Sequence, residues 1–266
     1  MQFNKSSFRN RLRVAFALCF LFSAISGLNA AKPGGATIDV EEAKKDPDFL
    51  TQGEYEGTYV KSKGGEKSKV GIQVIALGKG QFRAVGYEGG LPGAGWDGED
   101  PLRVEAKRGE DGKVVFLHPE TKSRGVLGED GLTVEAPDGK KLGTLKKVNR
   151  QSDTMGAKAP EGAVVLFDGS NVDAWKKGAR KTDDGLLMEG VNSLRNDFKD
   201  FTLHIEFLLP YKPDARGQGR GNSGMYLSGS EIQMLDSFGL TGEPNECGGI
   251  YKYLRPDVNM CLPPLS

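Results

Sequence analysis

The sequence predicts an all-β protein made of two β-rich parts joined by a short linker. Glycine is abundant, with 38 residues and no three-residue period, which excludes collagen and favours turn-rich β-structure. Helical periodicity is nearly lacking, and short strand-like segments alternate with Asp-Gly turns in the first half. The roughly 235 residues that follow the N-terminal segment suffice for one large domain or two small ones.

Residues 1–30 have the pattern of a secretory signal peptide. Arg9, Arg11 and Arg13 precede an apolar run at 14–28, and small residues follow it. The alternative is an uncleaved membrane anchor, but about 15 apolar residues fall short of the ~20 that a spanning helix needs. We therefore expect an exported protein, periplasmic or secreted, with no membrane span after cleavage.

Removal of this segment changes the charge. The full chain has 36 basic and 36 acidic residues; the segment carries four basic ones, so 32 basic and 36 acidic residues remain, a net charge near −4. The lack of a basic patch argues against a nucleic-acid partner. Cys247 and Cys261 remain as an even pair, which in an oxidising compartment forms either a disulfide or two buried free thiols.

The first part, residues 31–148, is predicted to be a small β-sandwich or barrel. A short helix within 38–50 is expected to end at Asp46-Pro47. Asp-Gly turns at 111–112, 130–131 and 138–139 punctuate the strands that follow. Strands are predicted at 55–60, 70–76, 82–87, 102–106, 114–117, 132–135 and 142–148.

The glycine-rich loop at 86–98 interrupts this series and carries Tyr87 and Trp96. It is either a contact surface for a ligand or a neighbouring domain, or a flexible loop held by one aromatic side chain.

Residues 149–162 have the composition of a linker, and a second domain is predicted at 163–266. Strands are expected at 185–189 and 201–209. In the latter the apolar side chains face a core, while His204 and Glu206 share the other face, roughly 7 Å apart. The two form either an acid/base pair or a solvated stripe.

A polar glycine-rich loop at 219–224 leads into two short alternating segments. In an extended second segment Glu231, Gln233 and Leu235 lie on one face. A carboxylate and a carboxamide side by side, rimmed by Asn222 and Ser223, suggest a floor for binding sugars. The alternative is the ordinary solvated face of a β-sheet.

A series of short motifs follows in a fixed order from residue 163 to residue 266. They are Leu-Phe-Asp-Gly at 166–169, Trp175, Phe-Thr-Leu-His-Ile-Glu-Phe at 201–207, Gly-Asn-Ser-Gly-Met-Tyr-Leu at 221–227, Glu-Ile-Gln-Met-Leu-Asp-Ser-Phe-Gly at 231–239 and Cys-Gly-Gly-Ile-Tyr at 247–251. In this order they resemble the 3-keto-disaccharide hydrolase domain found in secreted bacterial proteins. With Val-Gly-Ile-Gln-Val-Ile-Ala-Leu-Gly at 70–78 and Gly-Gly-Leu-Pro-Gly-Ala-Gly-Trp at 89–96, the region before it resembles a domain that often precedes this one in planctomycete proteins, for which no activity is established.

The resemblance implies a concanavalin-like β-jelly-roll and a substrate glycoside oxidised to a ketone at C3. Such a ketone acidifies the C2–H bond, so a base can remove that proton, the C1 aglycone can leave by elimination, and water can add afterwards. This chemistry needs a base, an acid and donors that stabilise the enolate, and it requires no cofactor.

Glu231, Gln233, Asn222, Ser223 and Glu206 match positions of the family's motifs, and the roles expected of the site residues are hypotheses from their geometry. Glu231 and Glu206 are the catalytic carboxylates, with Glu231 as the base or a sugar ligand. The predicted substrate-binding residues are Gln233, Asn222, Ser223, Tyr226 and His204. Asp236 is expected in a turn or a core network.

Two other functions stay open: a carbohydrate-binding module without catalysis, and a structural role in the envelope. Stacking aromatics would favour the binding module, and Tyr226 is the nearby candidate. No metal site is expected, because His118 and His204 lie in different predicted domains, although loop carboxylates such as Asp183 and Asp184 leave calcium open. The chain stops where the family's next strand would begin, so we expect a fragment with an incomplete sandwich.

Overall fold

An eight-stranded antiparallel sheet forms the first part of the chain. The protein is described by a computed structural model that covers residues 35–61, 65–195 and 197–266; the predicted signal peptide lies outside them. The strands are ordered β4-β3-β2-β1-β8-β7-β6-β5. Their bounds are β1 Gly53–Val60, β2 Lys67–Gly78, β3 Gln81–Glu88, β4 Leu102–Lys107, β5 Val114–Leu117, β6 Arg124–Gly128, β7 Gly131–Glu135 and β8 Lys141–Val148.

The sheet curls into a near-barrel. Its two edge strands, β4 and β5, meet through a bridge between Arg108 and Val114. The all-β prediction is confirmed, and each of the seven strands predicted in this part is present within two or three residues of its expected ends. The sequence missed β6, because its five residues include a glycine at each side of a two-residue apolar centre, Val126 and Leu127.

The Asp-Gly turns lie where they were expected, and Gly131 shows why glycine is needed. Its φ is +120°, and a Cβ at this position would lie 2.3 Å from the carbonyl oxygen of Leu145 on β8. A side chain is therefore excluded both by the backbone conformation and by the neighbouring strand.

Two short helices precede the sheet, α1 (Val40–Ala43) and α2 (Pro47–Thr51). The expectation that the helix ends at Asp46-Pro47 is half correct: α1 has ended there, but Pro47 begins α2 with Asp46 as its N-cap. Proline is suited to the first helical position because its missing N–H needs no partner there. None of the described helices has the length and apolar character needed to cross a membrane.

The core of the near-barrel is apolar and includes Phe82, Leu132 and Leu145. A buried polar chain crosses the outer side of β1, β2 and β3. The Tyr87 hydroxyl donates to Gln73 Oε1 (2.9 Å), the Gln73 amide donates to Glu54 (2.9 Å), and the Arg150 guanidinium donates to both Glu54 oxygens. Because each partner is satisfied, this network orders the strands rather than weakening them.

The C-terminal part is largely irregular. It contains a 3₁₀ turn at Gly217–Gly219 and a hairpin of β9 (Asn222–Leu227) and β10 (Ser230–Leu235). β10 lies within one residue of the segment predicted at 231–236, whereas β9 begins with residues 222–224, which were expected in the loop. Of the implied jelly-roll, the described residues contain this hairpin and the loops around it.

The strands expected at 185–189 and 201–209 are wrong. The first contributes one bridge, between Lys181 and Leu187, and the second is irregular. The apolar residues predicted to face a core, Phe201, Leu203, Ile205 and Phe207, are 39–44% exposed. An alternating pattern forms a strand when a neighbouring strand takes its hydrogen bonds, and the described residues provide none for this segment.

Candidate functional site

The β9–β10 hairpin holds most of the predicted site residues. Ser228 and Gly229, both with positive φ, form its two-residue turn, the pattern of the tight turns that suit twisted hairpins. In the resulting register Glu231 pairs with Tyr226, and Gln233 pairs with Gly224. Since directly paired residues share a face, the sequence correctly placed Glu231 and Gln233 together.

Glu231 and Tyr226 form a hydrogen-bonded pair on this face. The Tyr226 hydroxyl donates to Glu231 Oε2 at 3.0 Å. This hydrogen bond and the negative charge of the carboxylate raise the pKa of Tyr226, so the phenol is held in its protonated form. The other carboxylate oxygen, Oε1, lies over Gly224, where a Cβ would be 2.1 Å from it.

A cluster of three carboxamides lies beside this pair. Gln218 Oε1 accepts hydrogen bonds from Asn222 Nδ2 (3.0 Å) and from Gln233 Nε2 (2.9 Å), and Gln233 Nε2 also reaches Asn222 Oδ1 (3.1 Å). Gln233 is 1% exposed, and its Oε1 has no partner among the described atoms. The cluster therefore has a buried acceptor that a ligand donor or a water molecule would satisfy.

Sequence reasoning missed Gln218. It lies in the glycine-rich 3₁₀ turn that leads into β9, and its side chain reaches back over the sheet face. Four residues separate it from Asn222, and the hydrogen bond between the two side chains is visible only once the turn is folded.

The far edge of β10 is also paired. Residues of the 248–251 segment exchange backbone hydrogen bonds with Gln233 and Glu231, at 2.9 Å each. β10 thus lies between two neighbours, which fixes the direction of its side chains.

Arg220 and Asp236 connect the hairpin to the near-barrel. Arg220 Nε donates to Asp236 Oδ2 (2.6 Å), and Arg220 Nη1 donates to the Ala76 carbonyl on β2 (3.1 Å). Burial raises the pKa of Asp236 and outweighs the opposing influence of Arg220. Asp236 is therefore a core-network residue, which is one of the two positions predicted for it.

Three of the predicted site residues lie elsewhere. His204 Nε2 and Glu206 Oε1 are 3.0 Å apart, and Glu206 also accepts the backbone N–H of Gly156 (2.5 Å). Both hydrogen bonds lower the pKa of Glu206, and the one to His204 has the larger effect. Within the described residues no hydrogen bond or ion pair joins either of them to the hairpin. Ser223 pairs with Met234, which places it on the opposite face from Glu231.

Cys247 and Cys261 are free thiols in one apolar cluster with Phe238. A hydrogen bond from Cys261 lowers the pKa of Cys247 to about 7, while the same contact and burial raise the pKa of Cys261. Across the described ranges, no group of three or more His, Cys, Asp or Glu residues is placed to hold a metal ion.

The fold and the site define an all-β protein with a carboxylate, a phenol and two carboxamides on one hairpin, and a third carboxamide in the turn that leads into it. Residues 162–266, which contain this hairpin, match the sequence model of the 3-keto-alpha-glucoside-1,2-lyase-like domain. This match confirms the resemblance that the motifs of this part of the chain predicted. No curated protein and no solved structure matches the chain at a significant level.

Proposed function

We propose that this protein cleaves the glycosidic bond of 3-keto-glycosides by elimination followed by hydration. The observation that carries the proposal is the 3.0 Å hydrogen bond between Tyr226 and Glu231, inside the region that matches the lyase-like family. A base and a protonated phenol in contact are the two groups that a C1–C2 elimination needs.

In the first step the Glu231 carboxylate takes the proton from C2 of the sugar. The electrons of that C–H bond move toward the C3 carbonyl and form an enolate. The C3 ketone is what makes this proton acidic enough for a carboxylate, so a glycoside without the ketone is not a substrate of this chemistry.

In the second step the enolate collapses. The C3 carbonyl is restored, a C1–C2 double bond forms, and the C1–O bond to the aglycone breaks. Tyr226 gives its hydroxyl proton to the departing oxygen and recovers one from Glu231 through their shared hydrogen bond. Water then adds across the double bond, so that the net reaction is hydrolysis.

The carboxamide cluster binds the sugar. Gln218, Asn222 and Gln233 present amide donors and acceptors at one end of the same hairpin face, which suits ring hydroxyl groups. The buried, unpartnered Gln233 Oε1 would accept from a hydroxyl, and the oxygen that becomes the enolate would lie toward the amide donors.

The test is cleavage of a 3-keto-glucoside by the purified chain, with release of the aglycone measured against time. Glu231→Gln is expected to lower kcat/KM by about 10²- to 10⁴-fold, the range for loss of a general base. In deuterated water, recovered substrate or product should carry deuterium at C2. Product without C2 deuterium would contradict proton abstraction there.

Glu206→Gln is the matched control, because Glu206 is a carboxylate of the same family region that has no bond to the hairpin. We expect it to keep most of the activity. A loss as large as that of Glu231→Gln would return Glu206 to the catalytic role implied by the family motifs.

A non-catalytic carbohydrate-binding module is the second candidate function. Tyr226 is 72% exposed and offers a stacking surface on the same hairpin. Sugar binding without turnover, lost in Tyr226→Ala, would favour this function. For either function we propose that the protein acts outside the cytoplasm, on the strength of the N-terminal segment.

A further inference from the structure

A groove lies between the near-barrel and the C-terminal part, and its lining includes no residue of the β9–β10 hairpin. Its volume is about 350 Å³, within the range of small-molecule pockets (~300–1,000 Å³). One wall is the glycine-rich loop after β3, with the residues that follow it, and the other is formed by residues 240–259. The lining residues that bear on its chemistry are Tyr87, Trp96, Asp100, Arg103, Glu243 and Arg255.

The near-barrel wall of this groove is rigidly supported. Tyr87 and Pro92 line the groove, and both are tied to the buried polar chain beneath it. The Tyr87 hydroxyl donates a hydrogen bond to Gln73. Arg150 donates to the Glu54 carboxylate and also to the Pro92 carbonyl (2.8 Å). Such buried hydrogen bonds hold a wall in place before any ligand arrives.

Trp96 is the main apolar surface of the groove. Its ring packs edge-on against Tyr87, with the centroids 5.3 Å apart and the planes at 74°. Its indole N–H donates to the Glu99 carbonyl (3.1 Å) and so has no further bond to give. What the ring can offer a ligand is its apolar surface, which is the part that stacks against a sugar ring.

The charged groups of the groove are paired with each other. Arg103 contacts Asp100 at 3.1 Å, and Arg255 contacts Glu243 at 3.4 Å. Glu99 adds one carboxylate to these pairs. A strongly charged ligand would meet opposing charges on the same walls, whereas a neutral ligand with many hydroxyl groups could donate to the carboxylates and accept from the guanidinium groups.

We propose that this groove is a second binding site for a neutral saccharide, separate from the Glu231 hairpin. An aromatic surface, paired carboxylates and guanidinium groups, and a preformed wall together fit a pyranose with one apolar face. The site goes beyond the proposed cleavage function. A saccharide held here would keep the protein on its substrate, while the hairpin acts on another sugar.

Intrinsic fluorescence can test this site directly. The chain has two tryptophans, Trp96 and Trp175, so Trp175→Phe leaves Trp96 as the sole reporter. Maltose and cellobiose are the probes. We expect a saturable change in the Trp96 emission with a Kd of about 1 mM or tighter, worth roughly 4 kcal/mol of binding free energy.

Two further variants locate the binding. In the Trp175→Phe background, Glu243→Gln should weaken binding at least tenfold; this side chain is 45% exposed, so its replacement leaves the fold intact. Glu231→Gln in the same background should leave the Kd unchanged. No saturable change with either sugar, or a change lost with Glu231→Gln and kept with Glu243→Gln, would overturn the proposal.

Discussion

Tyr226 donates its hydroxyl proton to Glu231 at 3.0 Å across the paired strands β9 and β10. Removal of that hydroxyl by Tyr226→Phe keeps the ring and removes the proposed acid. We expect kcat to fall by about 10²-fold, the lower end for acid–base catalysis, with KM little changed. Steady-state kinetics with the 3-keto-glucoside measure both constants.

The leaving group provides the control for Tyr226→Phe. An acid is needed least when the departing oxygen is already a weak base, so a nitrophenyl aglycone should largely restore the activity of the variant. An equal loss with both aglycones would argue against Tyr226 as the acid.

Gly224 has no side chain, and this leaves the space that the Glu231 carboxylate occupies. In Gly224→Ala the new Cβ would lie 2.1 Å from Glu231 Oε1, and the flexible carboxylate must move away from Tyr226. We expect a large loss of kcat with a small change in Tm, because the displaced atoms are the end of a part-exposed side chain. Gly219→Ala is the matched control, since a Cβ there meets nothing within 4 Å. Equal activities of the two variants would contradict the proposed position of Glu231.

Gln218 holds Asn222 and Gln233 through one oxygen atom. Gln218→Leu removes this shared acceptor, at a cost of about 0.5–1.5 kcal/mol for a neutral hydrogen bond. The expected result is a KM raised about threefold to tenfold with kcat nearly constant, because the cluster binds the sugar and moves no proton. A fall in kcat alone would place Gln218 in the chemical steps.

Asp236 makes stability depend on pH. Its folded pKa lies above the unfolded value because of burial, so the folded state holds the proton more tightly. Its contribution to stability is therefore complete below the unfolded pKa, about 3.9, and is lost as the pH rises through the folded pKa. In Asp236→Asn this contribution is removed. Urea unfolding between pH 4 and 7 should show that the wild type loses stability relative to the variant as the pH rises. A constant difference between their free energies of unfolding would contradict the raised pKa of Asp236.

Cys247 should be the reactive thiol of the reduced protein. Its pKa of about 7 depends first on the hydrogen bond from Cys261. Alkylation by iodoacetamide should therefore reach half its maximal rate near pH 7, since the thiolate is the reacting form. In Cys261→Ala the midpoint should move up toward the ordinary range for cysteine. An unchanged midpoint would mean that Cys261 does not set the reactivity.

The near-barrel was largely predictable because its strands alternate and its turns contain Asp-Gly. Gly131 is an example, since one residue determines both the turn and the close approach to β8. β6 was not predictable, because hydrogen bonding to β5 and β7 makes it a strand, and its own two-residue apolar centre is too short to indicate one. The position of a strand within a sheet depends on residues that are distant in sequence, so the local sequence pattern does not predict it.

The candidate site was half predictable. Alternation alone placed Glu231 and Gln233 on one face, and the hairpin register then added Tyr226 to it. Gln218 was missed and Ser223 was placed with the wrong group, since both depend on how the turn and the pairing are arranged. The expected role of Glu206 as the second catalytic carboxylate required its segment to lie beside the hairpin as a strand, and that segment is irregular in the structure.

The proposed catalytic and sugar-binding groups all lie between Gln218 and Gln233, along one turn and one hairpin. Their mutual distances are therefore set by short chain closures, which cost little conformational entropy and form early. Apart from the 248–251 segment, which pairs with β10, variation elsewhere in the protein can alter what surrounds these residues without changing the distances between them. The residues from Gln218 to Gln233 can therefore be inherited together, and changed by selection together, as one functional segment.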